Sequence, residues 1–266
     1  MFFRERNVLH MGRIITITNQ KGGVGKTTTA INLSACLAEA GQHVLLVDFD
    51  PQGNASSGLG IEREDFENTV YDMLIEEAPI DECIVKNIQS NLDVLPSDMN
   101  LAGAEIEFQE VEDKEKLLKS YLNQIREQYD FILIDCPPSL NILTINALTA
   151  ADTVLVPIQC EYYALEGLNQ VLKTVDLVKR KLNPQLEMEG VVFTMYDART
   201  NLSLEVVESV KNNLNRTIYK TIIPRNVRLA EAPSHGLSIN LYDSRSTGAE
   251  SYRMLAAEVM SRGEEL

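Results

Sequence analysis

The segment RIITITNQKGGVGKTTTA, residues 13–30, decides the fold, because a strand pattern, a glycine-rich loop and the start of a helix pattern follow one another within it. Residues 13–19 are rich in β-branched side chains and predict a buried strand. Residues 27–40 carry apolar side chains at helical spacing, and Gly41 is a residue typical of helix ends. Parallel sheets bind ligands between the carboxyl end of a strand and the next helix, so the loop is predicted to be an anion site.

The same alternation continues along the rest of the chain. Strands are predicted from short apolar runs at residues 43–48, 92–96, 131–135, 153–157, 191–195 and 218–223. Helices are predicted at residues 114–128, 165–181, 202–214 and 249–261. Apolar strands that alternate with helices are typical of a mostly parallel sheet covered by helices on both faces. We predict an α/β fold of the P-loop NTPase type, with one domain over residues 11–266 and a flexible leader over residues 1–10.

Composition and charge narrow the class of protein. The chain has 266 residues, of which 44% are hydrophobic and 24% charged, values typical of a folded globular chain. The formal net charge of −15 argues against global attraction of the monomer to nucleic acid or anionic lipid. No window approaches 18 uninterrupted apolar residues, so no transmembrane helix is expected. Four scattered cysteines, without paired metal-ligand spacing, favour a reducing cytoplasm.

The glycine-rich loop contains the side chains that phosphate binding requires. Its glycines allow backbone N–H groups to turn towards phosphate oxygens, Lys26 can neutralise charge on the β- and γ-phosphates, and the Thr27 hydroxyl can ligate Mg²⁺. The predicted cofactors are therefore ATP and Mg²⁺. The residues predicted to bind nucleotide in this loop are Lys21, Gly22, Gly23, Val24, Gly25, Lys26, Thr27 and Thr28.

Three aspartates lie at or just beyond the ends of predicted strands. Asp48 ends the strand in VLLVDFDPQGN, Asp50 lies two residues further on, and Asp135 ends the strand in FILIDCPPSL. Aspartate is also a common turn residue at such positions. Beside a phosphate loop, three such carboxylates favour a phosphoryl-transfer site, in which the protein mainly positions water and neutralises developing charge.

Several separate blocks of sequence resemble one family. The loop departs from the standard pattern G-x-x-x-x-G-K-[ST], because Gln20 stands at its first glycine position, and KGGVGKTT instead resembles the deviant Walker A motif. The match continues from Met11 to about Met260 through VLLVDFDPQGNASSGLG, FILIDCPPSLNILTINAL, PIQCEYYALEGL, MYDARTN and IPRNVRLAEAPSHGLSINLYDSRSTGAESY. Together these blocks resemble the Soj-like ParA chromosome-partitioning ATPases.

The resemblance implies a set of activities and partners. It implies a magnesium-dependent enzyme that hydrolyses ATP to ADP and phosphate, slowly without its partner, and that forms a homodimer when ATP is bound. The dimer would bind double-stranded DNA without sequence preference and would partition a chromosome or plasmid together with a ParB-type centromere-binding protein. It also implies a cytoplasmic, nucleoid-associated protein, with no membrane contact.

The resemblance assigns roles residue by residue at the phosphate site. Lys21 is the extra lysine of the deviant motif and would reach across the dimer to the partner's phosphates. Asp50 would orient the attacking water, Asp48 would support the magnesium shell, and Asp135 takes the position of the Walker B carboxylate. The implied catalytic residues are Lys21, Lys26 and Asp50, and the implied metal-site residues are Thr27, Asp48 and Asp135.

The resemblance also implies contacts to the base and to DNA. Pro224 and Asn226 would face the adenine, with Pro51 nearby. Arg199 and Arg228 take the positions of the family's DNA-contacting arginines. Dimerisation would double this pair, so that an acidic chain could bind DNA phosphates in a salt-sensitive manner.

Other functions remain compatible with parts of the sequence. A membrane-associated, division-site-positioning ATPase of the same superfamily would need a basic amphipathic anchor, which residues 249–266 lack. A nitrogenase iron-protein role would need cluster-binding cysteines, whereas small buried cysteines are favoured here. A small-molecule kinase or amidoligase would need an acceptor pocket that no segment indicates. A nucleotide-gated scaffold that barely hydrolyses ATP fits every motif, and turnover separates it from the enzyme.

Overall fold

The computed structural model describes residues 11–108, 111–214 and 216–263, and the predicted leader over residues 1–10 lies outside them. One sheet of eight strands has the order β3-β4-β2-β5-β1-β6-β7-β8. The strands are β1 Arg13–Ile17, β2 Val44–Asp48, β3 Val85–Gln89, β4 Leu92–Leu95, β5 Phe131–Asp135, β6 Thr153–Gln159, β7 Glu187–Tyr196 and β8 Ile218–Pro224. Every pairing is parallel except that of β3 with β4, which confirms the predicted mostly parallel sheet.

Helices connect the strands and cover the sheet. Their bounds are α1 Lys26–Glu39, α2 Asn54–Gly58, α3 Val70–Ile75, α4 Ile80–Cys83, α5 Ala104–Glu107, α6 Leu117–Ile125, α7 Ile142–Ala150, α8 Ala164–Lys181, α9 Asn201–Asn213, α10 Val227–Glu231, α11 Ile239–Tyr242 and α12 Thr247–Gly263. No helix in the described ranges is long and apolar enough to cross a membrane.

Two hydrophobic clusters lie on opposite faces of the sheet, because successive strand residues point to opposite sides. Ile14 of β1 belongs to the cluster that includes side chains of α6, α7, α8 and α9. Ile15, the next residue, belongs to the cluster that includes side chains of α1, α11 and α12. The prediction that helices cover both faces is therefore confirmed.

The two edges of the sheet are covered differently. Strand β3 has five residues, and none of them is fully buried. Strand β8 lies at the other edge, where the carboxylate of Glu258 from α12 accepts hydrogen bonds from the backbone N–H groups of Lys220 and Thr221 at 2.9 and 2.8 Å. The edge strand β3 was not predicted, because it lacks an apolar run.

Some predicted helices differ from the observed ones. The predicted helix at 114–128 is a short α6 between two 3₁₀ turns, Lys114–Lys116 and Arg126–Gln128. Helix α7 was missed because most of its residues are buried, so its sequence lacks the polar stripe that marks a surface helix. The predicted helices at 165–181, 202–214 and 249–261 are confirmed within two residues at each end.

The topology brings the predicted site together. Strand β1 pairs with β5 on one side and β6 on the other, while β2 pairs with β5. Because these strands are parallel, their carboxyl ends lie at the same end of the sheet. The strand register places Asp135 beside both Ile17 and Asp48. The glycine-rich loop, which follows β1, therefore lies at the same carboxyl end of the sheet as both aspartates.

Candidate functional site

Asn19 anchors the start of the glycine-rich loop. Its Nδ2 donates to the Pro157 carbonyl at the end of β6 at 2.8 Å, and its Oδ1 accepts from the Lys21 N–H at 3.1 Å. Gly23 and Gly25 have φ values of 73° and 86°, a left-handed conformation that favours glycine. The chain then enters α1 at Lys26, so the helix N-terminus and its free N–H groups face the loop.

Lys26 is buried at the start of α1, with 6% of its surface exposed. Its Nζ donates to the Lys21 carbonyl at 3.2 Å, and the loop therefore folds over the ammonium group. Burial lowers the pKa of Lys26, while the nearby carboxylates of Asp135 and Asp50 oppose this change. A buried cation inside a loop of backbone N–H groups fits an anionic ligand.

Asp135 is fully buried, and neither of its carboxylate oxygens has a hydrogen-bond partner of good geometry among the described residues. Burial, followed by the negative charge of Asp48, raises its pKa well above the usual value. The Thr27 hydroxyl and the Lys26 ammonium oppose this rise. A buried carboxylate without partners is costly unless it is paired, so its surroundings fit a cation that the protein itself does not supply.

These residues fit Mg²⁺ in particular. The described residues contain no group of three or more His, Cys, Asp and Glu side chains that could hold a metal. Mg²⁺ rarely uses an all-protein cage, and commonly binds one or two carboxylates together with phosphate oxygens and water. Thr27 and Asp135, beside a phosphate loop, match that donor set.

Asp48 has a different set of contacts. Its Oδ2 accepts from the backbone N–H and the hydroxyl of Ser56, both at 2.8 Å, and its Oδ1 accepts from the Asp50 N–H at 3.3 Å. Burial raises its pKa to about 6, although the Ser56 hydrogen bonds act in the opposite direction. These contacts hold the loop between β2 and α2. The support of a magnesium shell by Asp48 stays a prediction.

Asp50 lies in this loop and is also buried, with 6% exposed. Its Oδ1 accepts from the Gln52 N–H at 3.0 Å, and its carbonyl accepts from the Gly53 N–H at 2.9 Å. A Cβ atom on Gly53 would lie 2.9 Å from the Ser97 carbonyl oxygen, so this turn requires glycine. The carboxylate of Asp50 is thus fixed near Lys26 and Asp135, with the Pro51 ring following it.

An apolar cavity of about 380 Å³ adjoins the phosphate loop. Gly25 and Thr28 form its inner wall, and Pro224 and Asn226 line it from the end of β8. Pro51 is not among its lining residues. The amide of Asn226 accepts from the Arg228 N–H at 2.8 Å and donates to the Thr247 hydroxyl at 2.7 Å, so it caps α10. Direct contact of Pro51, Pro224 or Asn226 with a base stays a prediction.

Thr194, Met195 and Tyr252 are among the residues of this cavity that sequence reasoning did not find. Thr194, at the end of β7, donates its hydroxyl to the Val24 carbonyl at 2.8 Å and so fixes the phosphate loop against the cavity. Met195 has a φ of 51°, an uncommon conformation for a non-glycine residue. Tyr252 of α12 lines the cavity and lies 3.2 Å from the Thr29 hydroxyl. The position of Thr194 at a strand end was the one available signal.

Lys21 lies on the outer side of the loop. Its ammonium group forms an ion pair with Glu161, and the two side chains are 40% and 43% exposed. Next to it the loop is open, because a Cβ atom on Gly22 would approach Pro138 only to 4.0 Å and one on Gly23 would meet no described residue within 4 Å beyond its chain neighbours. This side of the loop is accessible to a second molecule.

Arg199 and Arg228 follow the neighbouring strands β7 and β8, so both lie at the carboxyl end of the sheet. The guanidinium of Arg199 pairs with Asp197, with donor–acceptor distances of 2.8 and 2.6 Å, and its side chain is 85% exposed. The guanidinium of Arg228 lies 2.9 Å from Glu231 and 3.6 Å from Asp243. Both arginines are accessible, and both have carboxylate partners. Contact with DNA stays a prediction.

Comparison with known proteins gives consistent matches over most of the chain. A family profile described as "AAA domain" matches residues 12–188. The chain is 60% identical over 253 residues to the sporulation initiation inhibitor protein Soj of Bacillus subtilis (strain 168), a match that covers 95% of this chain and 100% of that protein. It is 52% identical over 258 residues to the chromosome partitioning protein ParA of Myxococcus xanthus (strain DK1622), covering 97% and 91%.

A solved structure has the same fold. It is cobyrinic acid a,c-diamide synthase from Mycobacterium smegmatis with a bound ATP analog and magnesium. The TM-score is 0.84 at 35% sequence identity, and the match covers 95% of this chain and 96% of that one.

Proposed function

Since the chain belongs to the Soj/ParA family of chromosome-partitioning ATPases, we propose that it is an ATP-switched dimer that moves DNA. Membership of this family also confirms the predicted P-loop NTPase fold. The dimer binds DNA without sequence preference and acts with a ParB-type partner. One observation carries the nucleotide part of the proposal. The buried Asp135 carboxylate has no hydrogen-bond partner of good geometry among the described residues, and Thr27 and Lys26 at the start of α1 act to lower its raised pKa.

ATP and Mg²⁺ are the proposed ligands. The backbone N–H groups of the loop from Lys21 to Thr28 bind phosphate oxygens, and Lys26 neutralises their charge. Thr27 and Asp135 hold Mg²⁺, with Asp48 behind them; when bound, the ion supplies positive charge to the phosphates. The apolar cavity between Thr28 and Pro224 has a volume of about 380 Å³, which is large enough to hold a purine base.

Hydrolysis needs little covalent chemistry from the protein. Asp50 is held near the phosphate loop by its turn and orients the attacking water. Lys26 stabilises the charge that develops on the transferred phosphoryl group. Within one protomer Lys21 is paired with Glu161 and cannot act in the partner's site at the same time. A slow basal rate is therefore proposed.

The open side of the phosphate loop supports the proposed dimer. Gly22 and Gly23 leave space for close approach of a second loop. Lys21 must leave Glu161 in order to cross, and the exposed pair makes this inexpensive, because surface ion pairs contribute about 0–1 kcal/mol. Lys21 in the partner's site would meet phosphate oxygens, which bind cations more strongly than a single solvated carboxylate does.

Arg199 and Arg228 are the proposed DNA contacts. The chain carries a net charge of −15, so binding depends on this local pair and on its duplication in the dimer. Each arginine already has a carboxylate partner, and DNA phosphates must compete with it. We therefore expect weak binding by a monomer and a steep loss with salt. One domain over residues 11–266 and a cytoplasmic, nucleoid-associated location belong to the same proposal.

The test uses the Asp50→Ala variant, which is expected to bind ATP without turnover. Its mass in solution and its binding to unrelated duplex DNA are measured with ATP, with ADP and without nucleotide, at low and moderate salt. We expect a dimer, and salt-sensitive DNA binding, with ATP alone. A dimer that ignores DNA would refute the partitioning switch, and a monomer under all conditions would refute the role of Lys21.

A matched pair of double variants locates the DNA site. Arg199→Glu with Arg228→Glu is expected to keep the ATP dimer and lose DNA. Arg180→Glu with Arg216→Glu makes the same charge change near the starts of β7 and β8, at the amino end of these strands. This control is expected to retain DNA binding. Equal losses in both double variants would mean that total charge, and not this surface, controls binding.

A further inference from the structure

The guanidinium of Arg228 lies between two carboxylates. Its Nη1 is 2.9 Å from Glu231 Oε2, and its Nε is 3.6 Å from Asp243 Oδ2. Glu231 is the last residue of α10, three positions after Arg228, whereas Asp243 directly follows α11. The two carboxylates therefore reach the guanidinium from different helices. We call Glu231 and Asp243 the Arg228 clamp.

Both members of the clamp are held in place by further contacts. The Tyr242 hydroxyl donates to Glu231 Oε2 at 3.2 Å. The N–H of Asp243 donates to the carbonyl of Ile239, the first residue of α11, at 2.9 Å. The N–H of Ile239 in turn donates to Oδ1 of Asn32, a buried residue of α1, at 2.7 Å. The carboxylates are therefore preorganised around the guanidinium, and α11 is fixed to the helix that follows the phosphate loop.

The two arginines proposed to contact DNA differ in how strongly they are restrained. The Arg199 side chain is 85% exposed and pairs with Asp197, whereas the Arg228 side chain is 49% exposed and lies between the two clamp residues. The hydrogen bond to Glu231, together with the charge of that carboxylate, raises the pKa of Arg228. A phosphate that approaches Arg228 has to compete with two carboxylates that also repel it. Arg228 is therefore the more restrained arginine.

We propose that the Arg228 clamp restrains DNA binding, so that a single Arg228 does not hold DNA whereas the pair in the ATP dimer does. Glu231 and Asp243 thereby set how strictly DNA binding depends on ATP. In the dimer, the second contact with the same duplex forms at a high effective concentration, which offsets the competition by the carboxylates. The effect on DNA rests on the proposed function, whereas the pairing of the Arg228 guanidinium in solution does not.

The DNA test removes the clamp charges with Glu231→Gln and Asp243→Asn together, in the Asp50→Ala background so that ATP is not consumed. Fluorescence anisotropy with an unrelated labelled duplex gives affinities with ATP, with ADP and without nucleotide. We expect an affinity about tenfold higher with ATP, the effect of removing two competing surface ion pairs, and measurable binding without nucleotide where the parent shows none. Glu112→Gln with Glu127→Gln makes the same charge change on exposed residues that flank α6, on the other face of the sheet. This control is expected to change the affinity less than about twofold, because distant surface charges are screened by salt.

A mutant cycle with Arg228→Ala shows whether the gain acts through this arginine. In the Arg228→Ala protein, removal of the clamp charges should change the DNA affinity no more than the control variant does. Three results would overturn the restraint on DNA. They are no gain from removal of the clamp, an equal gain in the control variant, and a gain of the same size without Arg228. Circular dichroism of each variant verifies that it is folded.

The pairing of Arg228 is measured without DNA or nucleotide. Phenylglyoxal reacts with the uncharged guanidine, and neighbouring carboxylates keep Arg228 protonated. We expect mass spectrometry to show several-fold faster modification of Arg228 in the clamp variant than in the wild type, relative to Arg180 of α8. Equal rates would overturn the clamp. Faster modification with unchanged DNA binding would overturn the restraint alone, whereas a failure of every variant to bind DNA would refute the proposed function and the restraint together.

Discussion

Replacing Asp135 with asparagine should stabilise the ligand-free protein while weakening its response to Mg²⁺ and ATP. The carboxylate is fully buried, both its oxygens lack good hydrogen-bond partners among the described residues, and Asp48 adds negative charge next to it. Asparagine has nearly the same shape and removes the charge. The change therefore relieves a cost that the protein carries because of its site.

The size of this effect follows from burial. A buried polar group without a partner costs about 1–3 kcal/mol, and more when charged, but the amide of asparagine keeps part of that cost, so about 1–3 kcal/mol is the expected gain. Unfolding entropy of about 2.1 cal/mol/K per residue gives about 0.56 kcal/mol/K for 266 residues. Each kcal/mol then raises the Tm by about 2 °C, and the expected increase is about 2–5 °C.

The assay is thermal unfolding in a buffer with a chelator and without nucleotide, at several pH values. The pKa of Asp135 is raised in the folded protein, so the folded state takes up a proton at a higher pH than the unfolded chain does. Wild-type stability should therefore rise as the pH falls through this raised pKa. The advantage of Asp135→Asn should be largest above this raised pKa, where the wild-type carboxylate is ionised, and should shrink as the pH falls below it.

Ligand and control measurements complete this experiment. Mg²⁺ and ATP should raise the Tm of the wild type more than that of Asp135→Asn. Asp152→Asn is the contrasting variant, because Asp152 accepts a hydrogen bond from the Ile14 N–H at 2.8 Å and pairs with Arg126 at 2.6 Å. Loss of this carboxylate charge should lower the Tm. An unchanged or lower Tm of ligand-free Asp135→Asn, or an advantage independent of pH, would refute the reasoning.

Lys26→Ala should abolish nucleotide binding in a titration with labelled ATP, since the variant loses the buried ammonium that neutralises phosphate charge inside the loop. Binding within about tenfold of wild type would contradict this role. Gly22→Val should bind ATP normally and remain a monomer by light scattering, because a Cβ atom at this position comes no closer than 4.0 Å to Pro138 within the protomer. An ATP dimer would contradict the close approach of two loops. Arg228→Glu should keep the dimer and lose DNA in a gel-shift assay; retained DNA would contradict the contact. Thr194→Val leaves the Val24 carbonyl without its hydroxyl donor and should weaken ATP binding about tenfold or less, whereas Thr194→Ser should restore it; equal affinities of both variants would contradict the hydrogen bond's role.

Much of the fold was predictable because its signals are local. The strand before the phosphate loop and the helix after it each show their own period, and Asp48 and Asp135 end strands that are apolar throughout. Parallel strands then bring their carboxyl ends to one edge, so the sequence order alone predicted a shared site. Strand β3 and helix α7 were missed because neither shows the periodic contrast of apolar and polar residues that pattern reasoning needs.

The remaining site contacts depend on the order of strands in the sheet. Lys21 meets Glu161 across 140 positions of sequence, and Thr194 meets Val24 across 170. Glu161 lies just beyond β6 and Thr194 lies near the end of β7, and the place of these strands in the sheet cannot be read from their own residues.

The protected edges of the sheet bear on how the protein can assemble. Strand β3 is short and without a fully buried residue, and the Glu258 carboxylate occupies backbone N–H groups of β8. An incoming strand would find occupied N–H groups on β8 and only a five-residue strand at β3, and short or blocked edge strands are among the ways in which folded proteins avoid runaway β-pairing. The sheet edges thus disfavour amyloid-like fibres, and the proposed ATP-dependent self-association uses a different face, at the carboxyl ends of the strands.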